Sequence, residues 1–145
     1  MDLTNKRVVV VGLGRSGVAT ARFLVNRGAR VTVTDRKTAE ALADGIASLG
    51  GLDLRLKLGG HDPQDFETAD LVVLSPGVPH LQPVLEPVWA NGTPVIGEME
   101  LAARFIREPI AAVTGTNGKT TTTRLLGDIL KHAGVNMMSQ APYRM

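Results

Sequence analysis

Two glycine-bearing loops carry the residues most able to do chemistry. The first is Gly12-Leu13-Gly14-Arg15-Ser16-Gly17, a G-x-G-x-x-G. Its first glycine permits a tight turn. Its second lets a phosphate approach the backbone, and its third lets the following helix pack closely on the preceding strand. The helix N-terminus then offers free N–H groups and the positive end of its dipole to an anion. Asp35 closes the next strand-like run, near the separation of about twenty residues at which a carboxylate accepts from a ribose hydroxyl. A glycine turn without a ligand is the alternative for the loop, and a helix cap or surface charge the alternative for Asp35. The second loop is Gly115-Thr116-Asn117-Gly118-Lys119-Thr120-Thr121. It resembles a phosphate loop, although Val113 stands where the general pattern has its first glycine. Backbone N–H groups from Gly115 to Lys119 can wrap phosphate oxygens, Lys119 can neutralise their charge, and the Thr120 hydroxyl can sit on Mg2+. A Gly-Asn-Gly turn with a capping threonine is the alternative here.

Loops of this kind need strands before them and helices after them, and the sequence supplies both. Arg7–Val11 contains four consecutive valines, the mark of a parallel strand buried on both faces. A helix over Ser16–Arg27, capped by Gly28, leads to a strand over Arg30–Thr34. The spacing predicts a helix over Thr38–Leu49 and a half-exposed strand over Asp53–Leu58. A strand over Ala69–Leu74 stops at Ser75-Pro76-Gly77. A helix follows over Leu81–Asn91, with Pro83 and Pro87 in its first turn or kinking it. A short strand over Pro94–Ile96 and a helix over Glu98–Arg107 come next. A second pattern opens with a strand over Ile110–Thr114, then the second loop, then a helix over Thr120–Ala133. Strands alternating with helices imply an α/β fold with a parallel sheet and helices on both faces. A domain boundary is expected near Arg107-Glu108-Pro109, dividing the chain into 1–107, a Rossmann-like domain, and 108–145, the start of a second α/β domain.

Composition narrows the function further. Of 145 residues, 43% are hydrophobic and 21% charged, which fits a globular protein with a sizeable core. Aromatics at 3% are too few for a base-stacking platform, and a net charge of +2 without a basic run predicts no nucleic-acid partner. The absence of cysteine removes disulfides, thiolate metal sites and a cysteine nucleophile. No apolar run approaches the roughly 18 residues of a membrane span, and the N-terminus lacks a signal-peptide pattern, so no membrane insertion and a cytoplasmic home are expected.

The compact G-T-N-G-K-T-T form resembles the nucleotide loop of the Mur ligases and folylpolyglutamate synthetases. A G-x-G-x-x-G domain ahead of it narrows the resemblance to the Mur ligases. Gly12–Ala19 (G-L-G-R-S-G-V-A), Leu74–Pro79 (L-S-P-G-V-P) and Gly97–Leu101 (G-E-M-E-L) resemble the members that add D-glutamate. The resemblance implies a domain that is Rossmann-like but holds the UDP of UDP-MurNAc-L-alanine rather than a dinucleotide. Arg15 and Ser16, within Gly12, Gly14 and Gly17, would meet the diphosphate. Asp35 and Arg36 would lie by the uracil, and Ser75, Pro76 and Gly77 would line the pocket. ATP with Mg2+ would bind at Gly115, Thr116, Asn117, Gly118, Lys119, Thr120 and Thr121, with Lys119 catalytic and Thr120 on the metal. The implied reaction phosphorylates a carboxylate to an acyl phosphate, which the amine of D-glutamate attacks to give an amide. A monomer is expected. Two other classes stay open: an NAD(P)-dependent oxidoreductase domain, with Arg36 and Lys37 tolerating a 2′-phosphate, and a non-catalytic UDP-sugar-binding module.

Other polar residues read more plainly. His61 reads as a solvated loop histidine, His80 as an exposed turn residue and His132 as a cation suited to a helix C-terminus. Glu98 reads as a dipole-matched residue of a first helical turn. The segment Asn136–Met145 departs from the family pattern. The family's later metal ligands, carbamylated lysine and D-glutamate domain have no counterpart, so a ligase fragment is expected. The purified chain, given UDP-MurNAc-L-alanine, D-glutamate and ATP, is accordingly expected to form no amide; a measurable rate of product formation would refute this.

Overall fold

A computed structural model describes residues 1–138. Two compact units divide the chain, Met1–Arg107 and Glu108–Met145. The first is built around the valine run. Strand β1 (Arg7–Val11) pairs in parallel with β2 (Arg30–Asp35) on one side and β4 (Leu71–Leu74) on the other. Strands β3 (Leu54–Leu58) and β5 (Val95–Gly97) form the edges, giving the order β3-β2-β1-β4-β5. Successive side chains point to opposite faces of a strand. Val8 and Val10 therefore enter one core while Val9 and Val11 enter the other. The first core lies under α1 (Arg15–Val25), α2 (Ala43–Ser48) and α5 (Glu98–Ala103), which contribute Ala21, Leu24, Ile46 and Leu101. The second lies under α3 (Pro63–Glu67) and α4 (Glu86–Ala90), through Phe66 and Val88.

The connections leaving β1 and β2 thus cover one face, and those leaving β3 and β4 cover the other. The chain reverses its winding between β1 and β4, which creates a crevice at the carboxyl ends of those two strands. At their opposite ends a reciprocal clasp holds this pair. Asp70 accepts from the Arg7 N–H at 2.7 Å and from its guanidinium at 3.3 Å, and the Asp70 N–H donates to the Arg7 carbonyl at 2.8 Å.

The helices are shorter than the sequence spacing predicts. The expected helix over Thr38–Leu49 is one 3-10 turn, Glu40–Leu42, followed by α2. The one over Leu81–Asn91 is a 3-10 turn, Pro83–Leu85, followed by α4, and each proline sits in a first turn where its missing N–H costs nothing. Helix α5 ends at Ala103 rather than Arg107. Helix α3 has no counterpart in the sequence reading. Asp62 caps it by accepting from the Gln64 N–H, and Pro63 occupies its first turn.

In the second unit the expected strand over Ile110–Thr114 does not form. A strand needs a neighbour to satisfy its N–H and C=O groups, and the described residues place none beside it; Ile110 is 60% exposed. Helix α6 (Lys119–His132) does form, with Leu125 and Ile129 more than half exposed. Among the described residues no helix is long and apolar enough to cross a membrane. The end of the second domain expected over 108–145, residues 139–145, lies outside the described residues.

The Arg7 clasp lowers the Asp70 carboxyl below its ordinary value of 3.8, through the guanidinium and backbone N–H donors. A carboxylate with a lowered native pKa stabilises the fold above its ordinary value and loses that contribution as pH falls through the native one. Urea midpoints measured from pH 6 down to pH 2 should therefore fall less steeply in Asp70→Asn than in the unsubstituted chain. Parallel curves would show that the clasp contributes nothing.

Candidate functional site

The crevice is built from three loops that leave the carboxyl ends of β1, β2 and β4. The first runs from Gly12 into α1. Gly12 has φ +104°, a conformation that favours glycine, and its N–H donates to the Thr34 carbonyl at 2.8 Å. Gly17 is fixed by space rather than torsion. A Cβ there would stand 2.1 Å from the Gly12 carbonyl oxygen and 3.0 Å from Ser75 Oγ. Gly14 differs from both: its backbone is extended, and a Cβ there would meet nothing within 4 Å. The middle of the loop is thus open at the helix start, where no side chain caps the N–H groups and no acidic residue occupies the first turn. Those groups lack intrahelical partners and suit an anion. Arg15 is exposed beside them and Ser16 is half-buried. A cavity of about 400 Å³ opens next to Gly14 and Arg15, bounded by Leu42, Asp44 and Gly45.

The second loop leaves β2 at Asp35. Both of its carboxylate oxygens are engaged, one by the Leu13 N–H at 2.8 Å and the other by the Lys37 N–H at 2.9 Å. Asp35 therefore ties the glycine loop to the end of β2. Arg36 donates to Gln82 Oε1 at 2.7 Å, and Gln82 Nε2 donates to the Pro79 carbonyl at 2.7 Å, bridging the loops after β2 and β4. Gln82 is buried. Sequence spacing gives no hint of this residue, because the bridge joins positions 46 apart.

His61 is not the solvated loop residue that the sequence suggests. Its Nδ1 lies 2.8 Å from Thr34 Oγ1, and its ring meets Phe66 edge-on at a centroid distance of 6.2 Å. The turn at Gly59 and Gly60 draws it back over β2, with the Gly59 N–H on the Lys37 carbonyl and the Gly60 N–H on the Asp35 carbonyl. Burial pushes its pKa below 6.5, the Arg36 charge adds to the shift, and Asp35 opposes it.

The third loop holds Ser75, Pro76 and Gly77. Ser75 is buried, its N–H donates to the Val11 carbonyl at 3.0 Å, and its hydroxyl donates to Glu98 Oε1 at 2.7 Å. Pro76 and Gly77 are exposed, and Gly77 has φ +85°. Glu98 does occupy the first turn of α5, but its side chain also reaches back to Ser75. His80 is exposed, as expected. Gly12, Gly14, Arg15, Ser16, Gly17, Asp35, Arg36, Ser75, Pro76 and Gly77 thus lie on the loops that follow the carboxyl ends of β1, β2 and β4.

In the second unit, Gly115 (φ +151°) and Gly118 (φ +76°) shape a turn into α6. The Lys119 ammonium folds back to donate to the Gly115 carbonyl. Thr116, Asn117, Thr120 and Thr121 are exposed, and no side chain caps the helix. The lysine side chain thus closes over the turn it follows. Among the described residues no group of three or more His, Asp or Glu is placed to hold a metal ion.

A family model described as Mur ligase MurD-like, N-terminal domain, matches residues 6–97, and one described as Mur ligase middle domain matches residues 113–144. The UDP-N-acetylmuramoylalanine–D-glutamate ligase of Desulfosudis oleivorans is 55% identical over 134 residues, covering 92% of this chain and 29% of that protein. Among solved structures, a pseudomurein peptide ligase type C from Methanothermus fervidus superposes with a TM-score of 0.56 at 36% identity, covering 90% of this chain and 27% of that one. The UDP-N-acetylmuramate-alanine ligase of Thermotoga maritima gives 0.56 at 25% identity, over 90% of this chain and 30% of that one. The chain spans less than a third of the length of these relatives.

The contrast between two glycines is directly testable. Gly17→Ala should destabilise the first unit by about 3 kcal/mol, because the added carbon meets backbone. Gly14→Ala should cost only about 0.5 kcal/mol, as a helix-capping change in open space. Chemical denaturation of both variants checks this; equal losses would mean that the helix–strand approach does not fix the third glycine.

Proposed function

This chain belongs to the Mur ligase family, and from that premise we propose that residues 1–107 hold the UDP portion of UDP-MurNAc-L-alanine for a ligase that adds D-glutamate. The observation that carries the reading is the open face at Gly14. There the uncapped start of α1 and the exposed Arg15 border an open space that a diphosphate would fill. Asp35, Arg36 and Gln82 border the same crevice on the β2 side, where the uracil would lie. Ser75, Pro76 and Gly77 form its wall on the β4 side. The Asp35 carboxylate accepts from two backbone N–H groups and so fixes the glycine loop beside the end of β2.

Residues 115–121 would bind ATP and Mg2+. The turn at Gly115 and Gly118 would wrap the phosphates. Lys119, which rests on the Gly115 carbonyl, would move onto phosphate oxygens as its better acceptors, and the Thr120 hydroxyl would face the metal. Bound ATP would supply the phosphoryl group that converts the substrate carboxylate to an acyl phosphate, which the D-glutamate amine opens to an amide with release of phosphate. The protein would act as a monomer in the cytoplasm, without nucleic-acid or membrane partners.

Calorimetric titration of the chain with UDP-MurNAc-L-alanine, UDP, NAD and NADP tests the reading. Heat is expected from the two UDP compounds and from neither dinucleotide. Arg15→Ala should weaken UDP by about tenfold, the loss of one charge-assisted contact. Heat from a dinucleotide alone would overturn the proposal and move the chain to the oxidoreductases.

A further inference from the structure

The Ser75 hydroxyl lies at the floor of the crevice with two acceptors in reach, Glu98 Oε1 at 2.7 Å and the Gly12 carbonyl at 3.3 Å. A serine has one hydrogen to give, and the nearer, charged acceptor takes it. The same side chain is a spacer. Its Cβ and Oγ lie 3.0 and 3.2 Å from where a Gly12 side chain would stand, and its Oγ lies 3.0 Å from the corresponding position on Gly17. The first and third glycines of the loop therefore both pack against Ser75, and Glu98 holds Ser75 by its free end. Glu98 arrives from a separate connection, the junction of β5 and α5, where Gly97 turns the chain in an extended conformation.

We propose that Glu98 is a positioning residue for the phosphate-binding turn: by holding the Ser75 hydroxyl it sets the spacing of Gly12 and Gly17, and so the aim of the N–H groups that open α1 toward a diphosphate. This rests on the UDP reading given above for the identity of the ligand. The carboxylate repels phosphate, so its contribution is the hydrogen bond it accepts and not its charge. Without that acceptor, the Ser75 hydrogen turns to the Gly12 carbonyl and the spacer shifts against the turn.

Glu98→Gln and Glu98→Ala separate the two effects, because both remove the charge and only glutamine keeps an acceptor for Ser75. In calorimetric titrations of the full 145-residue chain, Glu98→Ala should bind UDP about fivefold to tenfold more weakly than Glu98→Gln, while uridine, which lacks the diphosphate, should not separate them. In Ser75→Ala, adding Glu98→Ala should cause no further loss. Equal UDP affinities for the two Glu98 variants would overturn the proposal. Amide hydrogen exchange at Arg15, Ser16 and Gly17, measured without ligand, gives an independent reading and should be faster in Glu98→Ala than in Glu98→Gln. Faster exchange in a chain that binds no UDP would sink the UDP reading and keep the positioning role. UDP binding with unchanged exchange and affinity would do the opposite.

Discussion

The contact on which the functional edge depends is the approach of α1 to the end of β1. It is so close that a single carbon on Gly17 would overlap the Gly12 carbonyl. This proximity holds the uncapped start of the helix against the carboxyl end of the central strand. It also requires something rigid on the far side, and Ser75 fills that place at the end of β4. The non-sequential pairing of β1 with β4 is thus more than a feature of topology. It delivers the spacer that the glycine turn rests on, and the reciprocal clasp of Arg7 and Asp70 holds the other end of the same pair.

The electrostatics of the crevice follow from how its carboxylates are used. Asp35 and Glu98 would each repel an anion if left free. Asp35 is instead occupied by two backbone N–H groups and Glu98 by a hydroxyl. Both are thereby built into the loops, and the exposed Arg15 stands at the uncapped start of α1. A crevice of this kind can therefore include two acidic residues within its framework, provided that each has its own donors.

What could be read from the sequence was what short-range rules govern. The valine run announced a strand buried on both faces, and the alternation of strands and helices announced the parallel sheet; both hold. The short helices were overestimated because apolar spacing continues through residues that the backbone uses for 3-10 turns, as at Glu40–Leu42 and Pro83–Leu85. Helix α3 is not legible in the sequence because so short a helix carries no periodicity. Ile110–Thr114 had the composition of a strand, but strands are settled by partners, which composition does not report. The engagement of His61 with Thr34, of Gln82 with Arg36 and of Glu98 with Ser75 joins residues distant in sequence. No local pattern encodes such pairs, which tie together segments that belong to or follow different strands.

The two borders of the sheet bear on how the protein survives at high concentration. An unpaired strand border offers a row of N–H and C=O groups on which another chain can grow. Here one border is β5, only three residues long. The other, β3, carries exposed Arg55 and Lys57 on either side of Leu56, with Lys57 paired to Asp62 at 3.3 Å. A strand adding there would have to strip water from two cations to cover one leucine, and identical borders would meet with like charges opposed. The sheet thus discourages fibrous self-association by the poverty of one margin and the charge of the other.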